Sequence, residues 1–198
     1  TKHSTRSCSL EAPTRRLLSP RRIMNSDNQA YYDDFASGYE DKRGRGYHQL
    51  IDDLELDVLR PLVQHREVLE LGCGTGLILQ HVKPLARRAH GIDLSPGMIA
   101  TARSRGLDVS VASVYELPFA DGAFDLLYSF KVLAHIPDLP RALAEAARVT
   151  KPGGKVVIEL YNPMSLRYLA KRIAGPQPIS DGRTEADVFT QWHAPWQV

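Results

Sequence analysis

Short apolar runs, each bounded by glycine or a carboxylate, alternate along this chain with stripes of helical period. Such runs, four to six residues long, predict buried strands at 68–71, 89–93, 108–112, 124–129 and 155–160. The last is nearly all apolar and suits a parallel strand buried on both faces. Between them, Tyr47, Leu50, Ile51, Leu54 and Val58 form one stripe and predict a helix over 47–62, with Asp52, Asp53, Glu55 and Asp57 on a solvated face. A second helix begins near Leu77 and ends at Pro84. Ser95-Pro96 supplies an N-cap and a first-turn proline for a third, which runs to about Arg105 and stops at Gly106. Asp138-Leu139-Pro140 opens a fourth, facing inward through Leu139, Ala142, Leu143, Ala146 and Ala147, and Lys151-Pro152-Gly153-Gly154 is expected to end it in a turn. Ser165 caps a fifth, with Leu166, Leu169, Ala170 and Ile173 expected inward, Arg167, Lys171 and Arg172 outward, and Gly175-Pro176 at its end. Strands alternating with helices predict an α/β, doubly wound, Rossmann-like and mostly parallel sheet. Ligands of such sheets bind at the carboxyl ends of the strands, where Gly72, Asp93, Ser113, Phe130 and Tyr161 fall.

The first strand runs directly into Gly72-Cys73-Gly74-Thr75-Gly76. Glycines at alternate positions permit a tight turn and close approach of a ligand to backbone N–H groups. The dinucleotide fingerprint is G-x-G-x-x-G. Here the spacing is G-x-G-x-G, Leu77 stands where the last glycine belongs, and Glu70 precedes the loop by two residues. A carboxylate is awkward beside a pyrophosphate and useful beside an ammonium. The local chemistry therefore favours S-adenosylmethionine (SAM), which carries an ammonium, a sulfonium and no phosphate, over a nicotinamide dinucleotide.

Composition narrows the picture further. At 198 residues one domain is the default, and 43% hydrophobic content is ordinary for a globular chain with no apolar run long enough to span a membrane. Residues 1–23 hold six basic side chains against one acid, so they carry +5 of a formal net +2 and leave the remainder at −3. A mildly acidic body argues against nucleic-acid binding. Cys8 and Cys73 are neither a disulfide framework nor a metal cluster, which suits a reducing, cytoplasmic setting and predicts no metal. Residues 1–24 are expected to be a disordered leader. An organellar transit peptide is the alternative, disfavoured by the absence of an amphipathic stripe.

Four blocks now stand in order: V-L-E-L-G-C-G-T-G, G-I-D-L-S-P-G-M-I-A-T-A-R, L-P-F-A-D-G-A-F-D-L-L-Y-S-F and L-A-E-A-A-R-V-T-K-P-G-G-K-V-V-I. Together they resemble the class I SAM-dependent methyltransferases, in the broad small-molecule group that includes the ubiquinone and menaquinone biosynthesis type. The resemblance covers residues 31–163 and implies roles position by position. Gly72, Cys73, Gly74, Thr75 and Gly76 would line the methionine part of SAM, with Glu70 orienting its ammonium. Asp93 would accept from both ribose hydroxyls, since a carboxylate offers two oxygens to two adjacent donors. Leu94 and Met98 would pack near adenine or ribose, although Met98 equally suits helix packing. Where the family usually places an Asp for the adenine amino group, this chain has Ser113, so adenine would rest on Val114 and Tyr115 backbone. Phe130 and, from an amino-terminal helical cap over 25–63, Tyr39 with Tyr31, Tyr32 and Arg43 would complete the cofactor side.

Displacement at a sulfonium methyl needs mostly alignment, and a base only where the acceptor must lose a proton. His135, after the fourth strand, is the candidate base, with helix-start packing as its plain alternative. Glu159 is expected on the solvent side. Residues 64–163 would form the core, and 164–198 a lid or a truncated carboxyl-terminal region. The family's closing antiparallel hairpin is missing from this reading, and 186–192 could form at most one strand. The sequence is therefore expected to be partial or the sheet edge open, which invites a homodimer. The leading function is methyl transfer to a small molecule. The alternatives are a catalytically silent SAM-binding module and a nucleotide-binding oxidoreductase.

Overall fold

A computed structural model describes residues 46–175, 178–180, 183–184 and 189–194. Its centre is a five-stranded, all-parallel sheet in the order β3-β2-β1-β4-β5, built from β1 (Glu67–Leu71), β2 (Arg88–Asp93), β3 (Val109–Val111), β4 (Phe124–Ser129) and β5 (Thr150–Ile158). Side chains alternate across it. Val68, Leu126 and Tyr128 face α1 (Tyr47–Val63), α2 (Leu79–Val82) and α3 (Pro96–Ser104), while Leu69, Leu71, Ile92 and Leu127 face α4 (Leu139–Val149). Helices on both faces follow from βαβ crossovers and leave the carboxyl ends of the strands as the ligand edge. The Ser95 hydroxyl accepts from Met98 N at 3.2 Å, so the predicted cap of α3 forms.

Four expectations change. The α1 stripe points outward: Tyr47, Leu50, Leu54 and Val58 are all more than half exposed, while Glu55, Leu56, Leu59 and Val63 are buried. Of the acidic face only Asp53 and Asp57 are solvated, because Lys131 Nζ lies 2.6 Å from Asp52 Oδ1 and 2.9 Å from the Glu55 carboxylate. This ion group turns the helix so that Asp52 and Glu55 face inward, while Asp53 and Asp57 stay exposed. Secondly, residues 151–154 are not a turn. The chain passes from α4 into β5 at Thr150, and the extra residues are a bulge between the pairs Phe124↔Thr150 and Leu126↔Lys155. A Cβ on Gly154 would lie 2.7–3.0 Å from Thr150, Lys151 and Asp125, so glycine is required there.

Thirdly, β5 is a half-exposed edge, with Val156 42% exposed, not a strand buried on both faces. Among the described residues no hairpin pairs with it. A short antiparallel pair of β6 (Pro178–Ser180) and β7 (Arg183–Thr184) forms apart from the main sheet, where no pair of strands was expected. Residues 189–192 form no strand. Fourthly, Leu169 and Ile173 of α5 (Leu166–Ala174) are exposed, not inward.

Lys131 holds more than the helix. It has φ +62°, rare for a residue with a side chain, and its N–H donates to Glu159 Oε2 at 2.7 Å. Glu159 is thus a ligand of this turn and not a solvent-side residue. Burial raises the Glu55 pKa, and Lys131 opposes the shift. Removing one partner of a buried ion group costs about 3–5 kcal/mol. Lys131→Met should therefore lower unfolding free energy by roughly that amount in denaturant titration. An unchanged midpoint would show that the group does not secure α1.

Candidate functional site

Three strand ends and the glycine loop build the site. Cys73 N donates to Ile92 O at 2.9 Å, which seats the loop against β2. Gly91 allows this: a Cβ there would lie 2.8 Å from Cys73 and Leu79, a close approach that no local pattern reveals. Gly72, Gly74 and Gly76 all have positive φ, as the turn requires. The expected helix after the loop shrinks to the single turn of α2, so turn amides and not a long helix N-terminus face the site.

Asp93 closes the loop from the other side. Its Oδ2 accepts from Gly74 N and its Oδ1 from Ser95 N, both at 2.9 Å. One carboxylate thereby ties the loop to the start of α3. A carboxylate has about four acceptor sites, so two amides do not saturate it.

Glu70 is buried behind the loop, where Tyr128 OH donates to its Oε2 at 2.8 Å. Burial pushes its pKa up to about 8; the Tyr128 bond opposes this, the Glu55 and Asp93 charges add to it, and Lys131 opposes it. The same burial, with the Glu70 and Asp93 charges, holds the Cys73 thiol protonated, so Cys73 is a packing residue and no nucleophile. Thr75 Oγ1 is buried without a hydrogen-bond partner. A buried carboxyl favouring a cation, an unmatched hydroxyl and a glycine cradle fit the amino-acid end of SAM.

Other expected contacts divide. Met98 is 2% exposed in the α3 packing, and Leu94 is half-buried at the cleft edge. The Ser113 hydroxyl accepts from Tyr115 N at 3.2 Å, so that amide is engaged within its own turn. Val114 is buried and Phe130 packs on Tyr128 with ring centroids 5.5 Å apart. Tyr39, Tyr31, Tyr32, Arg43 and the leader lie outside the described residues. Among the described residues no His, Cys, Asp and Glu group could hold a metal, and no helix is long and apolar enough to cross a membrane.

His135 lies in a 3-10 turn, Leu133–His135, after β4. Residues 189–194, within the stretch expected to be a lid, cover it. His135 Nδ1 is 2.8 Å from Phe189 O, and its ring meets Tyr161 edge-on at 5.9 Å.

A family model, described as a methyltransferase domain, matches residues 69–158. The malonyl-[acyl-carrier protein] O-methyltransferase of Serratia marcescens is 35% identical over 52% of this chain and 41% of its own length. A ubiquinone biosynthesis O-methyltransferase of Alkalilimnicola ehrlichii is 30% identical over 75% of this chain and 65% of its own. The chain thus spans less than two thirds of either relative. The solved DhpI-SAM-HEP complex is 25% identical, with TM-score 0.66, over 88% of this chain and 85% of that one. Residues 69–158 match a methyltransferase domain, and the fold and glycine loop around them resemble those of class I SAM-dependent methyltransferases. SAM is the methyl donor of that family, and the residues on the loop side fit it.

Proposed function

We propose that this chain transfers a methyl group from SAM to an oxygen of a small-molecule acceptor. The observation that carries the reading is the Asp93 clamp on Gly74 and Ser95 beside the buried Glu70 carboxyl. Loop amides and Thr75 would bind the carboxylate end of SAM, Glu70 its ammonium, and Asp93 its ribose. SAM supplies a methyl carbon activated by positive sulfur. The protein contributes alignment, exclusion of water, and a base at His135 where the acceptor needs one. The oxygen acceptor is suggested by the relatives' names, malonyl-[acyl-carrier protein] and ubiquinone O-methyltransferases.

A second reading, a SAM-binding module without turnover, draws on the unpaired β5 edge among the described residues. That edge would also suit a homodimer, detectable by light scattering. Methyl-labelled SAM offered with alcohols, phenols, carboxylates and amines separates the two. Label in an oxygen acceptor supports transfer; SAM binding with no labelled product supports the silent module.

The Glu70 environment makes binding proton-linked. Its folded pKa of about 8 exceeds the ordinary 4.5, so the ligand-free fold holds a proton that the unfolded chain releases between these values. Stability of the free protein therefore falls as pH rises through that window. An ammonium beside Glu70 favours the ionised form, so binding should expel a proton and tighten from pH 6 to 8. Calorimetry near pH 7 in buffers of different ionisation enthalpy should count up to one proton released. Glu70→Gln should abolish the dependence; an unchanged pH profile would place the proton elsewhere.

A further inference from the structure

The amino-terminal ends of the strands, at the far edge of the sheet from the glycine loop, hold an open cavity of about 540 Å³. Sites for small molecules span about 300–1,000 Å³. His65 and Arg66 lead into β1, Arg87 leads into β2, Asp125 belongs to the start of β4, and Lys151 opens the β5 bulge. Among the described residues only Pro152 gives this wall an apolar side chain. A wall so polar suits an ionic group and not an apolar ligand.

The cations are set in place by the fold itself. Arg87 N donates to Arg66 O at 2.9 Å and His65 N to Leu85 O at 3.1 Å, which stitches the loops before β1 and β2 together. Asp125 Oδ1 lies 2.6 Å from Lys151 Nζ, and its Oδ2 accepts from Glu67 N at 2.9 Å. The Lys151 ammonium, and after it that amide, hold the Asp125 carboxyl below the usual carboxylate range. Arg87 pairs with Glu67 at 3.1 Å. Arg66 differs from both. It is half-buried in the wall, and among the described residues its guanidinium has no ion-pair or hydrogen-bond partner. Arg66, Arg87 and Lys151 against Asp125 and Glu67 therefore leave one positive charge in excess. A partly buried cation without a counter-charge is costly, and an anionic ligand removes that cost.

We infer that this cavity binds the phosphoryl group of a small phosphomonoester, with Arg66 as its anchor and Arg87 and Lys151 at its flanks. A guanidinium fork engages two phosphoryl oxygens at once, and a lysine adds a point charge. A phosphomonoester carries a charge of about −1.5 to −2 at neutral pH and three acceptor oxygens. It can therefore serve three cations, where a carboxylate brings one charge and two oxygens. The remaining volume accommodates the alcohol part of the ester. The five residues of β1 put roughly 15 Å between this cavity and the glycine loop, so the two sites do not overlap. The inference does not rest on the methyltransferase reading.

Calorimetry of the full chain at about 0.1 M chloride, where the screening length is about 10 Å, compares glycerol phosphate, inorganic phosphate and glycerol. Glycerol phosphate should bind one to one, inorganic phosphate more weakly at the same site, and glycerol not at all. Arg66→Ala should weaken glycerol phosphate about tenfold or more, because it removes hydrogen bonds to a charged group. Arg66→Lys should retain part of the affinity, since it keeps the charge and loses the fork. The melting temperature of Arg66→Ala should match that of the wild type, so that lost binding is not lost structure. Saturating SAM should leave the affinity for glycerol phosphate unchanged. Inorganic phosphate bound without glycerol phosphate, wild-type affinity in Arg66→Ala, displacement by SAM, or no binding of either phosphate overturns the inference. Each of these results leaves SAM recognition standing.

Discussion

Asp93→Ala should abolish SAM binding in calorimetry, a loss of about a hundredfold or more. Two effects combine. The substitution removes the acceptor for Gly74 N and Ser95 N, each bonded at 2.9 Å to one carboxylate oxygen. Hydrogen bonds to a charged group are worth about 1.5–3 kcal/mol each. Their loss frees the loop from α3, so the backbone that would line the methionine end is no longer preorganised. The ribose hydroxyls would lose their proposed acceptor in the same step. Since about 1.4 kcal/mol is a factor of ten, either effect alone suffices for a large change. Asp93→Asn isolates the charge: it keeps one acceptor oxygen and should retain the fold while weakening SAM about ten- to a hundredfold. Wild-type affinity in both variants would remove Asp93 from the site.

Gly72→Ala should be among the most damaging single-methyl changes at the described glycines. Gly72 has φ +70°, and a Cβ there would lie 2.3 Å from Val132 Cγ2 and 2.9 Å from Cγ1. Val132 is β-branched and stiff, so it cannot swing aside within its rotamer. Positive φ costs an L-residue about 1–2 kcal/mol, and overpacking adds about 1–3. The sum corresponds to a fall in melting temperature of roughly 5–15 °C for a chain of this size. Gly74→Ala is the internal control. It shares the positive φ, but nothing lies within 4 Å of its Cβ, so only the smaller backbone term applies. Val132→Ala should partly rescue Gly72→Ala, because it removes the two methyl groups at fault. Equal melting temperatures for Gly72→Ala and Gly74→Ala would refute the contact.

The parts of this molecule written in local pattern were legible from the sequence. Apolar runs ending in Gly72, Asp93 and Ser129 marked β1, β2 and β4, and Ser95-Pro96 marked the start of α3. Glycine spacing and Glu70 pointed to a cationic cofactor because both act within a few residues. What failed depended on distant partners. Stripe periodicity found α1 but chose the wrong face, since Lys131, 76 residues from Glu55, draws Asp52 and Glu55 inward. Lys151-Pro152-Gly153-Gly154 has turn composition, yet pairing of Thr150 with Phe124 makes it a bulge. Gly91 looked like an ordinary strand residue until Cys73 and Leu79 were placed against it. Residues 189–194 fell within the expected lid, but their position over Ala134, Tyr161 and His135 depends on bonds that no local pattern reveals.

Thermal unfolding of the wild-type chain with SAM and, separately, with NADH decides whether the glycine loop, Glu70 and Asp93 form a methyl-donor site. SAM should raise the melting temperature in proportion to the logarithm of its concentration, as a ligand of the folded state must, and NADH should not move it. Stabilisation by NADH and none by SAM would contradict the assignment of this site.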